Sequence, residues 1–178
     1  SLDSFGDMNH YIRHPANWTT IERNLRRLDE TGDNIEVTLA CAVQALNIFY
    51  IPEFIQWKLA QKFRKVNPWP MGAGLINFHF VYHPANLNVK ALPLATKEAV
   101  REKFERFYPW LFANFRDDQE FRDSPYGVRR LQAMVKFMFS EDWSNRHEEF
   151  REYISLLDSI RGTSFARTFP EFSEVLSP

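Results

Sequence analysis

Between Trp18 and Asp29 the apolar residues fall at Trp18, Ile21, Leu25 and Leu28, the spacing of one stripe along a helix. Gly32 and Asn34 end that pattern. The segment Ile35 to Val43 starts with alternation and passes into a nearly continuous apolar run, which predicts a strand buried on both faces. Ile51, Phe54, Ile55, Leu59, Phe63 and Val66 mark a second amphipathic helix, with Pro52 tolerated in its first turn. Asn67-Pro68-Trp69-Pro70 predicts a loop, and Leu75 to Tyr82 a further strand. Thr96 is placed to cap a long helix whose stripe is Val100, Phe104, Phe107 and Leu111, with a kink expected at Pro109. Two more helices follow on Val128-Leu131-Val135-Met138 and Phe150-Ile154-Leu157. Gly162 ends the last, and a tail carrying Phe165, Phe169 and Phe172 is expected to pack back on the body.

The first residues fit the same alternation. Ser1-Leu2-Asp3 has the character of a strand end, and Ser4-Phe5-Gly6-Asp7 that of the loop leaving it, so the body of that strand is expected outside this chain. Strand and helix then alternate, which implies parallel strands joined by right-handed crossovers. The expected fold class is therefore α/β: the carboxyl-terminal half of a partial (β/α)6 TIM-type barrel with a helical carboxyl-terminal extension. Residues 1–94 would form the β/α units and residues 95–178 a helical region packed on them, together one structural domain.

Composition narrows the function classes. A chain of 178 residues, 44% apolar with 17 Phe, can bury a substantial core. The formal net charge of −1 offers no broad basic field for nucleic acid or an acidic membrane surface. No apolar run approaches the ~20 residues of a membrane-spanning helix. Cys41 is the single cysteine, which excludes a disulfide framework and a cysteine-built metal set within this chain and fits a reducing, cytoplasmic setting.

In parallel α/β folds ligands bind at the carboxyl ends of the strands. Three polar stretches hold that position: Ser1 to His14, Gln44 to Asn47, and His79 to Asn88. His10 and His14, like His79 and His83, are spaced by four, and imidazoles from two loops are ligands for zinc or copper. That spacing is weak evidence with no carboxylate to complete it. The charged runs Arg26-Arg27-Asp29-Glu30 and Glu148-Glu149 have the pattern of solvated helix faces, and the aromatic run Phe104 to Phe115 that of a core.

At the strand exits a family resemblance emerges. Ser1-Leu2-Asp3-Ser4, Tyr11-Ile12-Arg13 and the Asn24-Leu25 pair resemble the fourth strand and following helix of radical SAM enzymes. Ala42-Val43-Gln44-Ala45-Leu46-Asn47 resembles the fifth-strand exit of that family, and Val81 to Pro93 the sixth. Leu157-Asp158-Ser159-Ile160-Arg161-Gly162-Thr163-Ser164-Phe165, with Phe169-Pro170-Glu171, is similar to the tail of the subgroup that carries a twitch domain. The resemblance implies S-adenosylmethionine and a [4Fe–4S] cluster as cofactors of the parent protein, with radical chemistry on an unknown substrate, a peptide or small metabolite. It places Ser1 and Asp3 on the ribose side of the cofactor, Arg13 on its carboxylate, and Gln44 and Asn47 near adenine or substrate.

This sequence departs from the family in lacking the C-x-x-x-C-x-x-C loop, and the adenine-side G-x-I-x-G-x-x-E pattern is absent from Val37 to Asn47. The expectation is thus a carboxyl-terminal half, inactive as this chain, whose partner is the missing amino-terminal half of the barrel. The alternative is a non-enzymatic α/β domain that pairs with a partner chain, or with its own copy, through an open barrel edge.

Overall fold

A computed structural model of the chain describes residues 1–32, 34–35, 37–66, 76–115, 119 and 126–176. Helices dominate it. In chain order the elements are α1 (Gly6–Ile12), α2 (Trp18–Asp29), β1 (Ala40–Val43), α3 (Ile51–Ala60), β2 (Asn77–Phe80), α4 (Leu94–Asn114), α5 (Tyr126–Met138), α6 (His147–Arg161), α7 (Phe165–Thr168) and α8 (Pro170–Leu176), with short 3-10 turns between some of them.

The expected half barrel is not formed. Among the described residues the sheet consists of β1 and β2, each four residues long, paired in parallel with Ala40 opposite Asn77 and Val43 opposite Phe80. Val37 adds an isolated parallel bridge to Val66. A barrel wall needs strands hydrogen-bonded on both edges and covered on both faces. Here β1 alternates, with Cys41 and Val43 buried and Ala40 and Ala42 only half-buried, while His79 of β2 is exposed. On the free edge of β2, the Arg130 guanidinium donates to the Asn77 side chain and to the Phe78 carbonyl, so a helix side chain stands where a further strand would pair. The fold is mostly helical, with a small parallel sheet inside it. The expected loop at residues 67–70 and the start of the third strand at Leu75 lie outside the described residues.

On the other side of β1 runs the amino-terminal segment. The Leu2 amide donates to the Ala40 carbonyl at 2.8 Å, and the Ala42 amide donates to the Asp3 carboxylate at 2.8 Å. A side chain therefore continues what begins as backbone pairing, and the chain leaves the sheet at Ser4.

Several helices form where their stripes predict, but α3 ends at Ala60, ahead of Phe63 and Val66, and α1 begins at Gly6, inside the expected loop Ser4 to Asp7. In α4, Val100, Phe104, Phe107 and Leu111 are buried, and the helix continues through Pro109. It begins two residues earlier than the expected Thr96 cap. Thr96 lies in the first turn instead, and its hydroxyl donates to the Val175 carbonyl. Gly162 closes α6 in the left-handed region at φ 62°, a conformation that favours glycine because it has no Cβ. The chain then folds back: Phe165, Phe169 and Phe172 are all buried, Phe165 and Phe169 with their ring edges against Tyr11, and Phe172 stacked on Phe49. The tail is thus part of the core and joins α1 to the turn before α3.

Polar groups within this apolar interior have a cost. Lys58 of α3 is 2% exposed, and burial lowers its pKa to about 8. Below pH 8 both folded and unfolded chains carry the ammonium, and the folded state bears the full desolvation cost. Between pH 8 and the ordinary value of 10.5 the folded chain loses its proton first, so that cost fades as pH rises. The parent chain is accordingly expected to gain stability relative to Lys58→Met by about 2–3 kcal/mol as pH rises from 8 to 10.5, from a shift of this order. Denaturant titrations of both chains across pH check this, and a pH-independent difference between them would refute this account of the site.

Candidate functional site

Four of the five residues named from sequence for the cofactor are drawn into one arrangement at the carboxyl end of β1. Asp3 is 4% exposed, and its carboxylate is engaged from two directions. Arg13, at the end of α1, reaches it with Nε at 2.9 Å and Nη2 at 3.1 Å, and the Ala42 amide donates to it. Arg13 itself stays over a third exposed, so part of its guanidinium faces solvent while the carboxylate it grips is inside. The pair forms because α1 starts only three residues after Asp3 and its first turn bends the chain back over the strand end.

Asn47 connects this pair to the next loop. Its side-chain amide donates to the Asp3 carbonyl at 2.9 Å and to the Ala42 carbonyl at 2.9 Å, and its Oδ1 accepts from the Gln44 amide at 2.9 Å. Asn47 and Gln44 are both buried, and the turn they form leads from β1 into α3. Ser1 is exposed and stands apart from this network.

Asn9 is a member that the sequence reading did not single out. It is 0% exposed, and its Oδ1 accepts from the Asp3 and Ser4 amides at 3.0 and 3.4 Å. The signal was an asparagine two positions before Tyr11 on a short helix that otherwise buries apolar residues. Beside it, the Ser4 hydroxyl and the Asn9 side-chain N–H groups are buried with no hydrogen-bond partner in the structure.

Cys41 lies directly below. Burial, followed by the nearby Asp3 carboxylate, pushes its thiol pKa well up, outweighing the opposing effects of Arg13 and Asn47. Such a thiol is inert. A [4Fe–4S] cluster of the expected kind needs three thiolates, and this chain has one cysteine, held protonated inside the fold. The residues present do not fit the cluster.

The histidines are separated by the fold into two pairs. His10 and His14 have ring centroids 5.4 Å apart, and His10 Nδ1 donates to the Ala16 carbonyl. His79 and His83 are exposed on and after β2. Among the described residues there is no group of three or more His, Cys, Asp or Glu side chains able to hold a metal ion. No described helix is long and apolar enough to cross a membrane.

Comparison with protein-family models, with curated proteins and with solved structures gives no match to this chain.

Two substitutions separate the members of the network. Asn47→Ala strips partners from the buried Asp3 and Ala42 carbonyls and the Gln44 amide, and is expected to cost roughly 3 kcal/mol, a fall of about 6–12 °C in melting temperature for a chain of this size. Arg13→Ala is expected to cost only about 1 kcal/mol because its guanidinium is partly solvated and the Ala42 amide remains on Asp3. Equal losses from both variants in thermal unfolding would show that Asn47 does not hold the strand exit together. Cys41 is expected to resist a disulfide reagent in the native protein and to react within minutes in denaturant; native reactivity would contradict its burial.

Proposed function

We propose that this chain is a carboxyl-terminal portion of a radical SAM protein and that it acts with a cluster-bearing portion, in the same polypeptide or on a partner chain. The observation that carries the reading is the convergence of Asp3, Arg13, Gln44 and Asn47 at the carboxyl ends of adjacent extended segments, where parallel α/β arrangements bind ligands. These positions are the ones on which the resemblance to the family rests. The buried, unpartnered Ser4 hydroxyl and Asn9 amide beside them are groups for which a ligand or a neighbouring segment would supply partners.

The reading does not require a half barrel from this chain. It requires an ordered strand exit with polar groups near it, and the division of labour between those groups is uneven. Both oxygens of Asp3 are committed inside the chain, whereas Arg13 retains donors toward solvent. Arg13 is therefore the residue to bind a carboxylate, through the planar fork that suits that group. Asp3 and Asn47 act as positioning residues that hold Arg13 and the loop after β1. The residues that would hold a cluster belong to the other portion.

The complete reading frame is expected to encode a C-x-x-x-C-x-x-C loop ahead of Ser1 or in an adjacent gene. The assembled protein, reconstituted with iron and sulfide without oxygen and reduced by dithionite, should release 5′-deoxyadenosine from S-adenosylmethionine. In that assembly Arg13→Ala should raise the half-saturating cofactor concentration about tenfold, the weight of one charge-assisted contact. Absence of the loop from both places, or no nucleoside product from a reconstituted assembly, would overturn the proposal.

A further inference from the structure

The carboxyl-terminal turn and α1 enclose a second feature. A cleft of about 430 Å³ lies between them, within the range of small-molecule sites, with Asp7, His10, Thr163, Ser164, Arg167 and Thr168 in its walls. The frame of the cleft is tightly bonded. Arg161 Nη1 donates to the Tyr11 carbonyl at 2.9 Å, tying α6 to α1. The Asp158 carboxylate accepts from the Phe165 amide at 2.8 Å and from the Thr163 hydroxyl at 3.0 Å, which fixes the turn after Gly162. Under it, the Tyr11 ring meets Phe165 and Phe169 edge-on.

Several charges of the chain are paired within it. Lys103 is shared by Glu53 and Glu171, Arg146 pairs with Glu149, Arg101 with Glu98, and Arg13 with Asp3. Asp7 and Arg167 line one cleft with opposite charges, and among the described residues neither charged group forms a hydrogen bond or ion pair. Around them the wall supplies hydroxyls. Ser164 Oγ accepts from the Arg167 amide, so its proton is free to donate, and His10 has Nδ1 on the Ala16 carbonyl, so Nε2 remains available.

We propose that this cleft binds a small zwitterion, an α-amino acid or short peptide, with its carboxylate on Arg167 and its ammonium on Asp7. A guanidinium recognises a carboxylate through two parallel donors, and a carboxylate accepts from an ammonium. A molecule carrying both charges engages both side chains at once, whereas a simple anion or cation engages one and leaves the other hydrated. Because the walls are already bonded in place, little ordering opposes binding. The site is separate from the strand exit and does not rest on the radical SAM reading; it concerns the tail motif Arg161 to Phe165, which that reading leaves without a role.

The test uses the whole chain, isotope-labelled, with L-serine and triglycine as probes of short and long charge separation, and acetate and ethylamine as the two halves. At least one zwitterion should give saturable amide shifts confined to residues near 7–11 and 162–168, with each half-ligand binding at least tenfold more weakly. Asp7→Asn and Arg167→Gln should each weaken the zwitterion at least tenfold while leaving the melting temperature unchanged, since both side chains are exposed and unbonded. Absence of saturable shifts with either zwitterion would overturn the proposal. So would acetate binding as tightly as the zwitterions, which would mark a plain anion site, or binding that survives both substitutions.

Discussion

The side chain of Asn47 is the fastening on which the arrangement of this protein depends. An asparagine amide offers donors and acceptors on one small planar group, and here it spends them on backbone atoms of two different segments: the Asp3 and Ala42 carbonyls and the Gln44 amide. The amino-terminal segment has little backbone pairing to β1 beyond the Leu2 amide, so its attachment continues through side chains, Asn47 from one direction and the Asp3 carboxylate from the other. Buried amides and carbonyls at a strand end must find partners or cost about 1–3 kcal/mol each. Meeting that requirement with one residue fixes where the chain exits the sheet, where α1 starts and where Arg13 falls.

Around this polar knot the stabilising term is aromatic. Phe5, Phe54 and Trp57 stack on one another, with Trp18 and Phe63 set edge-on to Trp57. Tyr50, Phe49, Phe169 and Phe172 form a second group that carries the tail. Large flat side chains bury much area for few rotatable bonds. They let a chain with only two short strands assemble helices of different lengths around a small sheet. Lys103 shows how the two terms meet, since its ammonium lies over the faces of Phe49 and Tyr50 and is also held by Glu53 and Glu171. The tail is thereby joined to α3 and α4 by charge as well as by area.

The helix on Val100, Phe104, Phe107 and Leu111 was legible because it buries that single stripe, whereas α1 had the residue types of a loop, Leu28 of α2 is 40% exposed, and α3 stops short of Phe63 and Val66. The strands were overdrawn for a physical reason. The run from Ile35 to Val43 has the composition of a fully buried strand, yet Ile35 is 45% exposed, and ladder pairing to β2 covers only Ala40 to Val43. Apolar character records burial, and an extended segment can be buried under helices without a strand on each side. Barrel closure is a property of neighbours, and no single segment encodes its neighbours. The polar strand exits were legible as residue types: Asp3, Arg13 and Asn47 do meet. What could not be read was the direction in which each group is spent, because a carboxylate at a strand end has the same one-letter code whether it faces a ligand or its own backbone.

That distinction between spent and unspent polar groups also separates scaffold from site within the structure. Buried Lys90, in the 3-10 turn ahead of α4, is bonded to Glu141 and lies over Phe137, and buried Lys97, in the first turn of α4, lies near Asp142, so together they fasten the turn between α5 and α6 to the chain entering α4. Those charges are satisfied and their role ends with the fold. Asp3 belongs in the same class despite its place at a strand exit, since a ligand would have to displace a backbone amide or Arg13 to reach it. Arg13 belongs in the other class, with donors left over and a rigid partner behind them, as do Asp7 and Arg167, which have no side-chain partners among the described residues. A folded chain loses solvation energy whenever it leaves a buried charge unpaired, but at an exposed position an unpaired charge costs little and remains available. Function in this protein is therefore to be sought where charges are exposed yet held in a bonded frame, and that condition is met along α1, from Asp7 facing the carboxyl-terminal turn to Arg13 at the strand exit.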